Sequence, residues 1–339
     1  MTPAETPATP ITDERPVLVA PDAFKGTLRA SEVAAAIGRG LERAGAVPPD
    51  LMPVADGGEG TIEVLLPALG GETAGTHVRD ALGRPRTAGF ALLEHGGGAL
   101  VETAAAIGLG LIAVGERDAE AATSHGAGDL IAAAIDAGAE TVLVAVGGSA
   151  STDGGAGAIE AIEEHGGLRH ARLVVLCDVR VPYELAADRF GPQKGADAAA
   201  VRRLRARLER LAASWPRDPR GVPLTGCAGG LSGGLWARYD AALEPGAAFV
   251  LDALGADGRM RAARALVVGE GRLDATTLQG KIAGELAVRA RQAGVPCHAV
   301  VGQAALDRFG RRVIDLQAVL EARTISGLEA AGEALVAYL

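Results

Sequence analysis

Residues 16–44 read PVLVAPDAFKGTLRASEVAAAIGRGLERA. Four apolar residues, Val17–Ala20, run into Pro21-Asp22 and a polar stretch. From Ala30 to Ala44 apolar residues recur at helical spacing, with Ser31 as the expected N-cap. Strand, loop, helix is the repeating unit of a parallel sheet, because a parallel neighbour can be reached only by a crossover connection. Leu51–Val54 leads through ADGGEGT (55–61) into a second helical stretch, Thr61–Leu69, so two such units open the chain. The rhythm stops near residue 70. Thr73–Glu102 alternates short extended runs with Gly/Pro turns, as antiparallel hairpins do. Helices are expected over 129–137 and 196–213, with apolar strands at 141–146 and 173–176. From Arg264 the first rhythm returns: strand Leu266–Val268, helix Thr277–Ala293, strands Cys297–Val301 and Asp315–Val319, then a final helix.

The expected fold class is therefore α/β. A flavodoxin-like parallel-sheet domain is assembled from residues 16–70 and 262–339, with a second, mixed α/β domain, 71–261, inserted into it. Residues 1–15, rich in Thr, Pro and acid, are expected to form a disordered tail. The cleft between the domains is the expected active site, since open parallel sheets bind ligands at the carboxyl ends of their strands.

Composition narrows the function. With 339 residues, 48% hydrophobic and 22% charged, the chain has ample material for a core. A net charge of −9 and only 3% aromatic residues argue against nucleic acid as a partner. Three scattered cysteines make neither a disulfide framework nor a zinc motif. No signal-peptide pattern opens the sequence and no apolar run reaches 18 residues, so a cytoplasmic protein with no membrane partner is expected. A homo-oligomer is left open.

Among 48 glycines that cluster after apolar runs, five polar glycine-rich loops stand out: PDAFKGTL (21–28), ADGGEGT (55–61), GGSASTDGGAG (147–157), FGPQKGA (190–196) and GEGRLDATTLQGK (269–281). Glycine lets backbone N–H groups approach an anion closely, and a following helix adds its dipole. Three loops carry a lysine, Lys25, Lys194 and Lys281, and the loops also hold Asp22, Asp56, Glu59, Asp153, Glu270 and Asp274. Lysines neutralise phosphates, while carboxylates hold magnesium or accept a hydroxyl proton, which is the inventory of phosphoryl transfer. One Asp-Gly-Gly is as readily a turn; five such loops together are not. The Walker pattern fails at Ala275 and Ile282, and Gly108-x-Gly110-x-x-Ala113 follows a helix-like stretch rather than a strand. Neither a P-loop nor a dinucleotide fold is indicated.

Taken in order, APDAFKGTL, VADGGEGT, ATSHGAGDLI, VGGSASTDGGAG, CDV with FGPQKGA, GCAGGLSGGL and VGEGRLDATTLQGK resemble the bacterial glycerate kinase family across the whole chain. The resemblance implies ATP and Mg2+ as cosubstrates and D-glycerate phosphorylated to 2-phosphoglycerate or 3-phosphoglycerate. The chain departs from the family's usual pattern at Ala23, at Val181-Pro182-Tyr183 and in a shorter segment after Glu164. On this reading Lys25 and Lys194 bind the acceptor or the transferring group, and Asp56 or Asp178 is the general base. Asp22, Gly57, Gly58, Glu59, Gly147, Gly148, Ser149, Gly269 and Lys281 bind substrate or phosphate, and Asp153 and Asp274 neighbour the metal. A kinase of another hydroxy acid or polyol, or an inactive anion-binding module, are the alternatives.

Overall fold

The computed structural model describes residues 14–94 and 97–339; all but the last two residues of the expected tail at 1–15 lie outside them. Among the described residues, eleven strands form two sheets: β1 Val17–Pro21, β2 Asp50–Leu51, β3 Gly71–Arg79, β4 Pro85–Leu93, β5 Gly98–Glu102, β6 Thr141–Ala145, β7 Arg172–Cys177, β8 Ala242–Pro245, β9 Ala265–Glu270, β10 Cys297–Val301 and β11 Leu316–Glu321. The first sheet has the order β11-β10-β9-β1-β2 and is parallel throughout, so strands from the two ends of the chain lie side by side. Leu18 of β1 pairs with Leu266 of β9, 248 positions later in the sequence. Every residue of β1, β9 and β10 is buried, as strands covered on both faces must be.

The second sheet runs β3-β4-β5-β6-β7-β8. Its first three strands are antiparallel and the others parallel. The β3–β4 turn is closed by Asp80, whose carboxylate accepts from the backbone N–H groups of Leu82 and Arg84 at 2.8 and 2.9 Å, an Asx-type turn. The two sheets share a core. Leu18, Val54 and Leu266 on one side and Leu100, Leu143 and Leu176 on the other belong to one continuous apolar cluster, together with Val250 and Leu251 of helix Gly246–Ala253. Each such side chain stabilises the fold by about 1.5–3 kcal/mol relative to exposure.

Several local expectations are corrected. Helix Ala30–Arg43 is capped at Arg29, whose N–H donates to Glu32 Oε2 at 2.9 Å; Ser31 lies inside the first turn and its hydroxyl donates to Glu63. β2 is only two residues long, although Met52 N–H and Val54 N–H continue the contact with β1 by donating to the carbonyls of Val19 and Pro21. The helix expected at 129 starts at His125. The helix expected over 277–293 is split: a short 3-10 turn, Thr277–Gln279, ends at Gly280 with φ +108°, and helix Ile282–Ala293 starts anew.

Candidate active site

The loop after β1 begins the site. Asp22 N–H donates to the Gly269 carbonyl at 2.8 Å, which ties the ends of β1 and β9 together, and Ala23 N–H donates to the Asp22 carboxylate at 2.7 Å. Paired backbone bonds between Phe24 and Leu28 then fold the chain into a tight turn, with Phe24 buried beneath it. Lys25 stands at the tip and its Nζ donates to Asp56 Oδ2 at 3.1 Å.

Asp56 reaches this point because the backbone after it packs without side chains. A Cβ on Gly57 would lie 2.9 Å from Gly246 Cα, and one on Gly147 would lie 2.8 Å from Gly58 Cα. Gly57 also has φ +91°, a conformation glycine adopts without steric cost. This close approach of the Asp56 loop to the end of β6 brings in Asp178: a Cβ on Gly147 would also lie 3.2 Å from Asp178 Oδ2. Ser149 follows two residues later. Its hydroxyl accepts from Lys194 Nζ at 3.3 Å, and Lys194 also donates to the Ser151 carbonyl. Lys194 is buried, carried there by the 3-10 turn Pro192–Lys194.

The charges are coupled. Burial, then the neighbouring Asp56, pushes the Asp22 carboxyl up to about 8. The same two causes raise Asp178. Lys25 is held strongly protonated, first by Asp56 and also by Asp22 and Asp178. Burial pushes Lys194 down to about 8, against the pull of Asp153 and Asp178. Oδ1 of Asp56 is buried and has no hydrogen-bond partner among the described residues. A buried carboxylate with an unused oxygen suits a hard cation, so Asp56, with Asp22 on the same cavity, fits a magnesium ion.

Three cavities meet at Lys25. One, about 550 Å³, has mostly apolar walls, including Val54, Ile62, Phe90 and Ala105, with Glu59 at its edge. A second, about 460 Å³, opens at the carboxyl ends of the first sheet's strands and gathers Lys25, Arg272, Lys281 and Arg323 around Asp56 and Glu270. A third, about 260 Å³, contains Ser149, Gly148, Asp178 and Lys194. Ala228 also lines it, in a left-handed conformation with φ 51° inside the glycine-rich segment.

Most of the residues expected from the sequence therefore gather around one point, but the two proposed metal neighbours have other work. Asp153 accepts hydrogen bonds from Ser124 N–H and hydroxyl at 2.7 and 2.8 Å, from Gly155 and Gly157 N–H at 3.2 Å, and from the Thr123 hydroxyl at 3.4 Å. Its oxygens are occupied in joining the starts of helices His125–Asp136 and Ala156–Glu164. Asp274 accepts from the Thr276 N–H at 2.9 Å and pairs with Arg272 at 3.2 Å and Lys281 at 3.8 Å. Lys281 is anchored mainly by Glu270, at 3.2 Å. Arg272 and Arg323 were not singled out from the sequence. Arg323 is the second residue after β11, so the strand-end rule applied to β11 would have found it. A second signal was also present: Lys25, Lys194 and Lys281 are the only lysines in the chain, all other basic residues being arginine.

The glycerate kinase family model matches residues 17–166 and 163–331. Glycerate kinase of Bacillus subtilis strain 168 is 37% identical over 333 residues, covering 86% of each chain. Glycerate 2-kinase of Escherichia coli K12 is 34% identical over 305 residues, covering 78% of this chain and 79% of that one. The crystal structure of a proposed glycerate kinase 2 from Salmonella typhimurium LT2 superposes with a TM-score of 0.76 at 30% identity, covering 96% of this chain and 98% of that one.

Proposed function

The chain belongs to the glycerate kinase family, and on that premise we propose that it transfers the γ-phosphoryl group of ATP to a hydroxyl of D-glycerate, giving 2-phosphoglycerate. The observation that carries this reading is the position of Lys25, which lines the four-cation cavity and the small Ser149–Lys194 cavity alike. A group passing from one to the other would pass its ammonium. The donor's triphosphate suits the larger cavity, where Lys25, Arg272, Lys281 and Arg323 match its charge. The three-carbon acid suits the smaller one, with its carboxylate on Lys194 and Ser149. Magnesium, held by Asp56 and Asp22, would supply charge neutralisation on the donor's phosphates.

Asp178 is the better placed of the two general-base candidates, since it lines the acceptor cavity and burial and Asp56 raise its carboxyl above the ordinary value, making it a stronger base. The acceptor hydroxyl would give its proton to Asp178 as its oxygen bonds to phosphorus, and ADP would leave with the electron pair of the broken P–O bond. Asp178→Asn is expected to lower kcat by about 10²-fold or more while KM for D-glycerate changes little, as for a group acting mainly in the transition state. Steady-state kinetics on the purified variant check this, and unchanged turnover would remove Asp178 from the role. The reading as a whole is tested by coupled ADP release with ATP, magnesium and D-glycerate, the product's phosphate being located by phosphorus NMR. No ADP release dependent on D-glycerate would overturn it, and a 3-phosphoglycerate product would correct the position.

A further inference from the structure

We propose that the apolar cavity of about 550 Å³ is the seat of the donor's nucleoside, an inference that rests on the kinase reading above and adds a ligand site to it. A nucleoside triphosphate and a small acid divide into three parts of different chemistry, and three different cavities meet at Lys25. The cation-rich cavity matches the phosphates. The cavity of about 260 Å³ falls below the roughly 300 Å³ at which sites for larger ligands begin, and Lys25, Ser149, Asp178 and Lys194 give it the polar groups that a small acid needs. It suits the acid and is too small for a base with its sugar.

The remaining cavity has the complementary properties. Leu28, Val54, Ile62, Phe90 and Ala105 give it apolar walls against which the faces of a base lose water. Asp22, Ala23, Lys25 and Thr27 line both this cavity and the cation-rich one, so a single ligand can extend from one into the other. Its four acidic side chains, Asp22, Glu59, Glu63 and Glu102, outnumber its two bases, Lys25 and Arg29, and would repel a polyphosphate. Two of them are committed: Glu102 accepts from the Ile62 N–H at 2.5 Å, and Glu63 from the Ser31 hydroxyl. Glu59 is exposed at the edge, where a carboxylate accepts hydrogen bonds from ribose hydroxyls.

Two substitutions fill the cavity from different walls without touching the transfer machinery: Ala105→Phe on helix Ala104–Ile107 and Thr73→Trp on β3. Both proteins are first checked for native circular dichroism, and either one suffices. Binding of ATP with magnesium is measured by displacement of a fluorescent ATP analogue, beside inorganic tripolyphosphate, which has the charge and no nucleoside. The expected result is an ATP Kd raised tenfold or more with the tripolyphosphate Kd within twofold. An ATP Kd within twofold of the parent in a folded variant, or an equal loss of tripolyphosphate binding, overturns the assignment. The two readings fail differently. Phosphoryl transfer to D-glycerate with ATP affinity unmoved by the substitutions removes the nucleoside seat alone. Nucleoside-dependent ATP binding that the substitutions abolish, with no ADP formed from D-glycerate, removes the glycerate kinase reading and leaves the seat.

Discussion

A carboxylic acid that burial and a like charge keep protonated near neutrality costs the fold stability. Asp22 has an ordinary value of 3.8 and is pushed up to about 8. Between those values the folded chain binds a proton that the unfolded chain has released, so stability falls as pH rises from about 4 to about 8 and then levels off. Asp22→Asn keeps the acceptor for the Ala23 N–H and removes the titration. We expect it to be more stable than the parent by about 1–3 kcal/mol at pH 7, with the difference vanishing near pH 3.5, and to have lost activity. Denaturation midpoints across pH decide this; a difference that does not depend on pH refutes it. Lys194 shows the opposite sign. Its ordinary value of 10.5 is pushed down to about 8, so above that pH the free protein loses the charge that would hold the acceptor acid. KM for D-glycerate should rise up to about tenfold per pH unit above 8, with kcat less affected because a bound anion restores the proton. A flat KM profile from pH 7 to 9.5 would exclude Lys194 from acid binding. These shifts were not legible in the sequence, because they depend on which strand ends meet. The lysines themselves were legible, since a lysine retained in a chain that otherwise uses arginine marks a site that needs a compact point charge rather than a planar fork.

At the scale of elements, the sequence conveyed periodicity well and terminations poorly. The buried runs of β1, β9 and β10 and the turn-punctuated hairpins of β3 to β5 could be read directly, because apolar pattern and Gly/Pro placement act locally. The start of helix Ala30–Arg43 could not: Ser31 is a better N-cap residue than Arg29, but its hydroxyl is drawn to Glu63, 32 positions away. The hydrogen bonds of Asp153 could not be read from the sequence for a similar reason. A lone Asp among glycines carries the same signal whether it binds a metal or joins two helix starts, and only the positions of Ser124 and Gly157 distinguish the cases. Asp153→Asn should therefore lower the melting temperature, by the equivalent of about 2–3 kcal/mol, since a charged acceptor of several buried donors is lost. The magnesium concentration for half-maximal activity should be unchanged. A metal requirement displaced tenfold with unaltered melting would restore Asp153 to the metal site.

At the scale of the molecule, the chain leaves the first sheet after β2 and returns to it at β9, and the apolar cluster formed on the way binds both sheets. With Leu18 and Leu266 in one core with Leu100, Leu143 and Leu176, each sheet loses the apolar cover of one of its faces when the other unfolds. Scanning calorimetry should give a single endotherm in which calorimetric and van't Hoff enthalpies agree; two separable transitions would show the sheets to be independent. The scarcity of lysine has a practical outcome at this scale. Apart from the terminal amine, reductive methylation with isotopically enriched formaldehyde can place methyl groups only on Lys25, Lys194 and Lys281, all at cavities that converge on one point. Side-chain reporters placed in this way would lie only at the cavities proposed for the two substrates, without any engineered label.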